Sequence, residues 1–323
     1  MRIVALEEHF TVPSLVRQIG RDAIAARGFP PPEAAWGPGR IADKLADLGD
    51  ARLRLMDDSG ITMQVLSVSG PGADLLPPEQ GPGWARAAND ALATAIQAHP
   101  DRYAGFAHLP MTAPDAAARE LERCVSQLGF HGALINGLTD GRFLDDPVFA
   151  PILQRAEALG VPIYLHPGLP PAAVRQAYYD GLGAADSYLF GAAGWGWHAE
   201  TAVHILRLAV SGTMQRYPGL QWIIGHMGEG LPTMLARCDQ VFGRDITGVI
   251  VDHVHVTTSG FFTLPPFLAL LHTFGVDRIM FSVDYPFASN DTARAFLDSL
   301  PVSPADRTKI AHGNADRLLR LHA

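Results

Sequence analysis

Eight short runs rich in β-branched and aromatic residues, each followed by a longer segment of helical spacing, constrain the fold of this chain more than any other feature. The runs are "RIVAL" (2–6), "ITMQVLSV" (61–68), "RYAGFAHL" (102–109), "HGALING" (131–137), "VPIYLHP" (161–167), "LQWIIGHMG" (220–228), "HVHVTTSG" (253–260) and "DRIMFSVDYP" (277–286). Between them lie segments such as "DAAARELERCVSQLG" and "HAETAVHILRLAVSGTMQRYPG", in which apolar residues recur every three or four positions and Gly or Pro follows the last turn. Strand then helix, repeated eight times with nearly continuous apolar strands, is the pattern of a parallel sheet covered by helices. Eight repeats predict an α/β fold closed into a (β/α)8 TIM barrel. An open doubly wound sheet is the alternative, but its usual GxGxxG after the first strand is absent, and "EEHF" stands there instead. The 32 Gly and 25 Pro gather at the joints and mark no linker, so residues 1–323 are expected to form one barrel domain.

Composition narrows the partners. The formal charge of −8 and the lack of any basic run argue against nucleic acid. Cys124 and Cys238 are too few for a disulfide framework and have no metal-knuckle spacing. No apolar stretch reaches 18 residues, and the five-residue apolar run near the start is too short for a signal peptide. A soluble protein of the reducing cytoplasm, with no membrane partner, is the expectation.

The polar residues stand where the apolar runs end. On a strand, residues i and i+2 share a face, so Glu7 and His9 point together while Glu8 turns outward. The fifth run ends in His166, the sixth in His226 with Glu229 three residues on, and the eighth in Asp284. In a closed barrel these ends meet at the C-terminal mouth, the face on which barrels carry their active sites. A lone His at a strand end is ordinarily hydrogen-bonded filler, and a lone Asp before Tyr-Pro a turn former. Four strand ends with such groups form a ligand set for a divalent cation such as Zn2+ or Mn2+. Two long connections, 26–40 and 168–197, lie on the same face; the second is rich in Tyr, Phe and Trp, as expected of a lid or pocket wall.

The blocks "VALEEHF", "DARLRLMDDSGI", "ARAANDALA", "GALING", "YLHP", "ETAVHILRL", "IIGHMGEGLP", "TTSG" and "DRIMFSVDYPF" together resemble the amidohydrolase superfamily, and within it the branch of γ-resorcylate (2,6-dihydroxybenzoate) decarboxylases. The resemblance runs through nearly the whole chain. It implies metal ligation by Glu7, His9, His166 and Asp284, with His226 beside metal and substrate and Glu229 tuning His226. Many binuclear members bridge two metals with a carboxylated lysine on the fourth strand. "HGALING" has none, and Lys44 and Lys309 are the only lysines, so one metal ion is expected. Asn136 is placed to contact a substrate oxygen, although a turn role suits it equally. Trp195 stands where the family has a pocket tryptophan, but "GWH" at 196–198 departs from the family pattern. Arg237 is a candidate carboxylate receptor, possible at a subunit contact, against an ordinary surface role. His204 reads as structural, and His99, His131, His253, His255, His272, His312 and His322 have no supporting context.

The implied activity is non-oxidative, metal-dependent decarboxylation of an ortho-hydroxy aromatic or similar planar acid, with Asp284 delivering a proton to the ring. A hydrolase or hydratase using a metal-activated water, with Asp284 as general base, is the alternative on the same barrel. A metal-stabilised binding protein is a third. The resemblance also implies a homodimer or homotetramer.

Overall fold

The computed structural model describes residues 1–31, 33–35 and 37–321; Trp36 of the first long connection and His322 lie outside them. Among the described residues nine strands run in chain order: β1 Val4–Phe10, β2 Met63–Val68, β3 Tyr103–Gly105, β4 Ala107–His108, β5 Ala133–Asn136, β6 Ile163–His166, β7 Trp222–Ile224, β8 Val254–Thr257 and β9 Ile279–Met280. All pairings are parallel, in the order β1-β2-β3 and β4 through β9. The third run is split at Phe106, whose N–H goes back to Leu66 of β2, while the next N–H, of Ala107, turns to Gly132 beside β5. The ring closes where Glu8 bridges to Tyr285 and where the N–H groups of His9 and Asp284 donate to Tyr285 and Glu7. The eight predicted staves therefore form the expected (β/α)8 barrel.

Alternation sorts the side chains into two layers. Val4, Leu6, Met63, Val65, Phe106, Leu134, Tyr164, Ile223 and Met280 fill the barrel, with Ala315, Leu319 and Leu321 at the chain's end joining this cluster. The intervening residues face the helices, as the helix Pro114–Leu128 illustrates. Proline opens it, Gly129 ends it at φ +72°, and Ala117, Leu121 and Cys124 on its buried stripe pack into the outer core. A fully buried leucine such as Leu121 contributes roughly 1.5–3 kcal/mol. Cys124 and Cys238 are free thiols, and no described helix is long and apolar enough to cross a membrane.

Two buried histidines make acid the vulnerable side of this fold. His204 accepts the Leu144 N–H through Nε2 at 2.8 Å, and burial pushes its pKa from 6.5 down to about 3. His255, which alternation turns into the barrel, is held down to about 3 by burial and by Arg278 and Arg317. Both are neutral when folded and basic when unfolded, so their stabilisation is complete above pH 6.5 and is lost as pH falls toward 3. The unfolding free energy is expected to fall through that window. In His204→Gln, which keeps an acceptor for Leu144 but cannot be charged, denaturant titrations should show a shallower decline; an unchanged slope would remove His204 from the account.

Candidate metal centre and active site

Strict alternation would carry Val4 and Leu6 inward and then bring Glu8, not Glu7, into the barrel. A register shift between Ala5 and Glu8 prevents this. Ala5 pairs with Gln64 and Glu8 with Leu66, so two residues of β1 face one of β2. This bulge resets the phase, and Glu7 and His9 follow Leu6 to the inside, where bulges commonly re-aim a side chain. Ser67, opposite His9, lies 3.3 Å from His9 Nδ1.

At the mouth, Glu7, His9, His166 and Asp284 bring one ligand atom each to within 4.8 Å of one another. Glu7 Oε1 is 4.0 Å from His9 Nε2, 3.3 Å from His166 Nε2 and 3.6 Å from His226 Nε2. Asp284 Oδ1 is 3.3 Å from His9 Nε2, and its Oδ2 is 3.7 Å from His226 Nε2. Glu7 Oε1 and His9 Nε2 are buried without a hydrogen-bond partner. Two orphaned polar atoms pointing at one spot are costly unless something with positive charge sits between them. Ligand bonds of about 2.0–2.2 Å would place neighbouring donors roughly 3–3.5 Å apart, so the set fits one divalent cation.

The groups behind these atoms orient them, as metal ligands require. His166 Nδ1 lies 2.8 Å from the Pro167 carbonyl and His226 Nδ1 2.8 Å from Glu229 Oε1, leaving both Nε2 atoms for the mouth. Glu7 Oε2 accepts from Tyr164 Oη, which also meets Thr257 Oγ1 at 2.9 Å. A Cβ on Gly225 would come within 2.4 Å of Glu7 Oε2, so glycine before His226 is what admits the carboxylate. Left-handed backbone recurs here at His226 (φ +51°), Met227 (+56°), Glu229 (+57°) and Asp284 (+75°), strain that side-chain-bearing residues carry mainly at functional sites.

The charges are mutually supporting. Burial alone would raise Glu7, but His226, His166 and His9 hold it well below the usual carboxylate range. Burial likewise opposes ionisation of Asp284 and Glu229, yet His226 and His9 beside its two oxygens lower the first, and His226 and His198 lower the second. His226 is raised well above 6.5, its burial outweighed by Glu229 and Glu7. A bound cation would take over part of that positive role.

Glu8 turns away from the mouth as expected, but it does not reach solvent. It is fully buried against the helix layer, accepting the N–H groups of Val283 at 2.8 Å and Tyr285 at 3.2 Å on either side of Asp284. Burial pushes its carboxyl up to about 8 against the pull of those donors. The helix Asp50–Ser59 supplies the cation nearby: Arg52 is buried, donates to the His9 carbonyl at 2.5 Å and covers the Tyr285 ring.

Above the cluster lies a largely apolar cavity of 120 Å³. It is the scale of the roughly 150 Å³ space that accepts benzene in an engineered core, so one ring fits. His166, His226 and Asp284 line it together with Asn136, Trp197 and Phe287. Trp195 does not line it: its side chain is 57 % exposed, and Trp197, two residues on, forms the wall. Arg237 is exposed on the short helix Leu235–Phe242, reaches Gln240, and does not line this cavity. Tyr164, His198 and Arg27 escaped the sequence reading. Tyr164 was within reach of it, since it precedes His166 by two on the same strand and must share its face. Arg27, at the rim, donates to the Leu169 carbonyl and so ties the first long connection to the second.

A (β/α)8 barrel whose C-terminal mouth gathers Glu7, His9, His166 and Asp284, a set that could hold a single metal ion, with His226 and Glu229 beside them, defines a metal-dependent barrel enzyme. Comparison with known proteins places it further. Residues 8–321 match the amidohydrolase family. The γ-resorcylate decarboxylase of Rhodococcus jostii RHA1 is 38 % identical, with 98 % of each chain covered. The crystal structure of 2,6-dihydroxybenzoate decarboxylase from Rhizobium superposes with a TM-score of 0.87 at 38 % identity, covering 99 % of both chains. Dihydroxybenzoic acid decarboxylase from Polaromonas sp. JS666, solved with manganese and the inhibitor 2-nitroresorcinol, gives 0.88 at 37 % identity, covering 100 % of this chain and 98 % of that one. The chain belongs to the amidohydrolase family.

Proposed function

We propose that the protein is a metal-dependent, non-oxidative decarboxylase of a small aromatic acid with a hydroxyl ortho to its carboxyl. The observation that carries this reading is the pair of orphaned atoms, Glu7 Oε1 and His9 Nε2, converging beneath a one-ring cavity that Asp284 and His226 also face. The similarity to decarboxylases of such acids supports it. Glu7, His9, His166 and Asp284 would hold one divalent ion, Mn2+ as in the Polaromonas relative or Zn2+. When bound, that ion supplies positive charge that orients the acid's oxygens and stabilises charge developing on the ring.

The chain's own residues do the rest. Asn136 and His226 present polar atoms to the acid's oxygens, while Trp197 and Phe287 flank the ring and exclude water. Asp284 takes the proton released by the ortho hydroxyl and delivers it to the ring carbon bearing the carboxyl. The bond to the carboxyl then breaks, its electron pair restores the aromatic ring, and carbon dioxide leaves. The phenoxide product regains a proton from water. Glu229 keeps His226 oriented beside Asp284 throughout.

Incubation of the manganese-loaded protein with salicylate and the dihydroxybenzoates should release CO₂ and the matching phenol, with about one metal ion per chain in the active protein. Hydration or hydrolysis products without CO₂ would transfer the site to the alternative chemistry, and two ions per active chain would overturn the single centre.

We further infer that residues 1–323 act as one domain and that the protein is a homodimer or homotetramer. The second inference is supported by Met234, Val241 and Phe242, which are exposed around Arg237. Two free thiols suit a reducing compartment such as the cytoplasm.

A further inference from the structure

The "GWH" stretch acquires a purpose in the fold. His198 sits in the first turn of the helix Gly196–Val210 and is buried behind His226. Its Nδ1 lies 2.5 Å from Glu229 Oε2, while His226 Nδ1 lies 2.8 Å from Glu229 Oε1. A carboxylate only accepts, so both Nδ1 atoms carry hydrogen and the two rings share one acceptor. Each ring then turns its Nε2 outward. His226 Nε2 faces Glu7 and Asp284. His198 Nε2, bare when Nδ1 carries the hydrogen, accepts from the indole Nε1 of Trp197 at 3.2 Å, and the Ala193 carbonyl lies 3.0 Å from the same nitrogen. The imidazoles pack edge to face at 4.7 Å, and both press against Phe261.

Glu229 needs such a partner. It stands in left-handed backbone, close to two further strained residues, and a donor on Oε2 keeps Oε1 from swinging away from His226. We propose that His198 is a positioning residue that fixes Glu229 against His226 with one ring nitrogen and the Trp197 indole with the other. One buried side chain thus sets both the histidine facing the reaction and the wall against the ring. The kinetic part of this inference rests on the decarboxylase reading; the structural part does not.

The experiment compares His198→Ala with His198→Asn, whose amide nitrogen occupies nearly the place of Nδ1 but cannot reach Trp197. With manganese-loaded protein and whichever ortho-hydroxy acid the wild type decarboxylates, Ala should lower kcat about tenfold or more and raise KM severalfold, the scale of outer-shell changes. Asn should restore most of kcat and leave KM high. A purely structural role would lower the melting temperature of both variants with no such split, and wild-type kcat and KM in Ala would overturn the proposal. The second readout needs no turnover: downfield proton NMR of the protein, following the ring N–H protons bonded to Glu229. His198→Ala should remove one signal and shift that of His226. An unmoved His226 proton would overturn the proposal even if the wild type decarboxylated nothing, an outcome that would fall on the proposed function instead.

Discussion

Asp284→Asn is expected to keep much of its metal and to lose on the order of a hundredfold or more in decarboxylation rate, the usual scale for removing a general acid. The side chain ends in the cavity, with one oxygen near His9 Nε2 and the other near His226 Nε2. Asparagine preserves its size and one oxygen, but an amide cannot exchange a proton. Although burial disfavours the charge, His226 and His9 beside its two oxygens hold Asp284 below its usual range, so the resting group is a carboxylate. It therefore becomes an acid only by taking a proton from the arriving substrate. The same group run backwards should abstract a ring proton, and concentrated bicarbonate with the product phenol should yield the acid. Elemental analysis beside single-turnover rates separates metal loss from lost proton transfer. A metal-replete Asn variant working at near wild-type speed would pass the role to His226, the other group facing that space.

What could be read along the chain, and what could not, divides by the range of the interaction responsible. Eight apolar runs and the polar groups at their ends are local patterns, and the barrel and its cluster follow from them. Phe106, where the third run is split, is a local pattern overridden by its neighbours, since its N–H answers β2 while the next residue answers β5. The bulge after Ala5 is another such case: Glu7 and His9 were paired correctly by period, yet nothing in "VALEEHF" shows that Leu6 and Glu7 both face inward. Trp195 and Trp197 differ only in where the helix of residues 196–210 begins, and two residues at its start point in very different directions. The partners of His198 and Arg27 lie some 31 and 142 residues away, beyond any periodic signal.

The adjacent glutamates should separate cleanly on substitution. Glu7→Gln is expected to weaken metal binding by more than the roughly 10- to 100-fold that changes behind the ligands cost. It removes the charge from the atom on which His9, His166 and His226 converge, and Tyr164 already occupies the other oxygen. With its N–H₂ toward Tyr164, whose hydroxyl can accept it and donate to Thr257, the amide leaves the cation only a neutral oxygen, and the other orientation turns the N–H₂ to the cation. Glu8→Gln should leave the metal content nearly intact, since this side chain lies on the far side of β1 among Val283, Tyr285, Ser282 and Gln64. Its cost falls on stability. Both carboxyl oxygens accept hydrogen bonds there, and the amide retains only one acceptor, leaving a buried donor badly paired at about 1–3 kcal/mol. Elemental analysis of the two variants after dialysis against a weak chelator, with calorimetric melting of each, reads the two effects apart. Equal metal loss, or greater loss from Glu8→Gln, would mean that the extra residue of β1 lies elsewhere and that the strand presents its other face to the mouth.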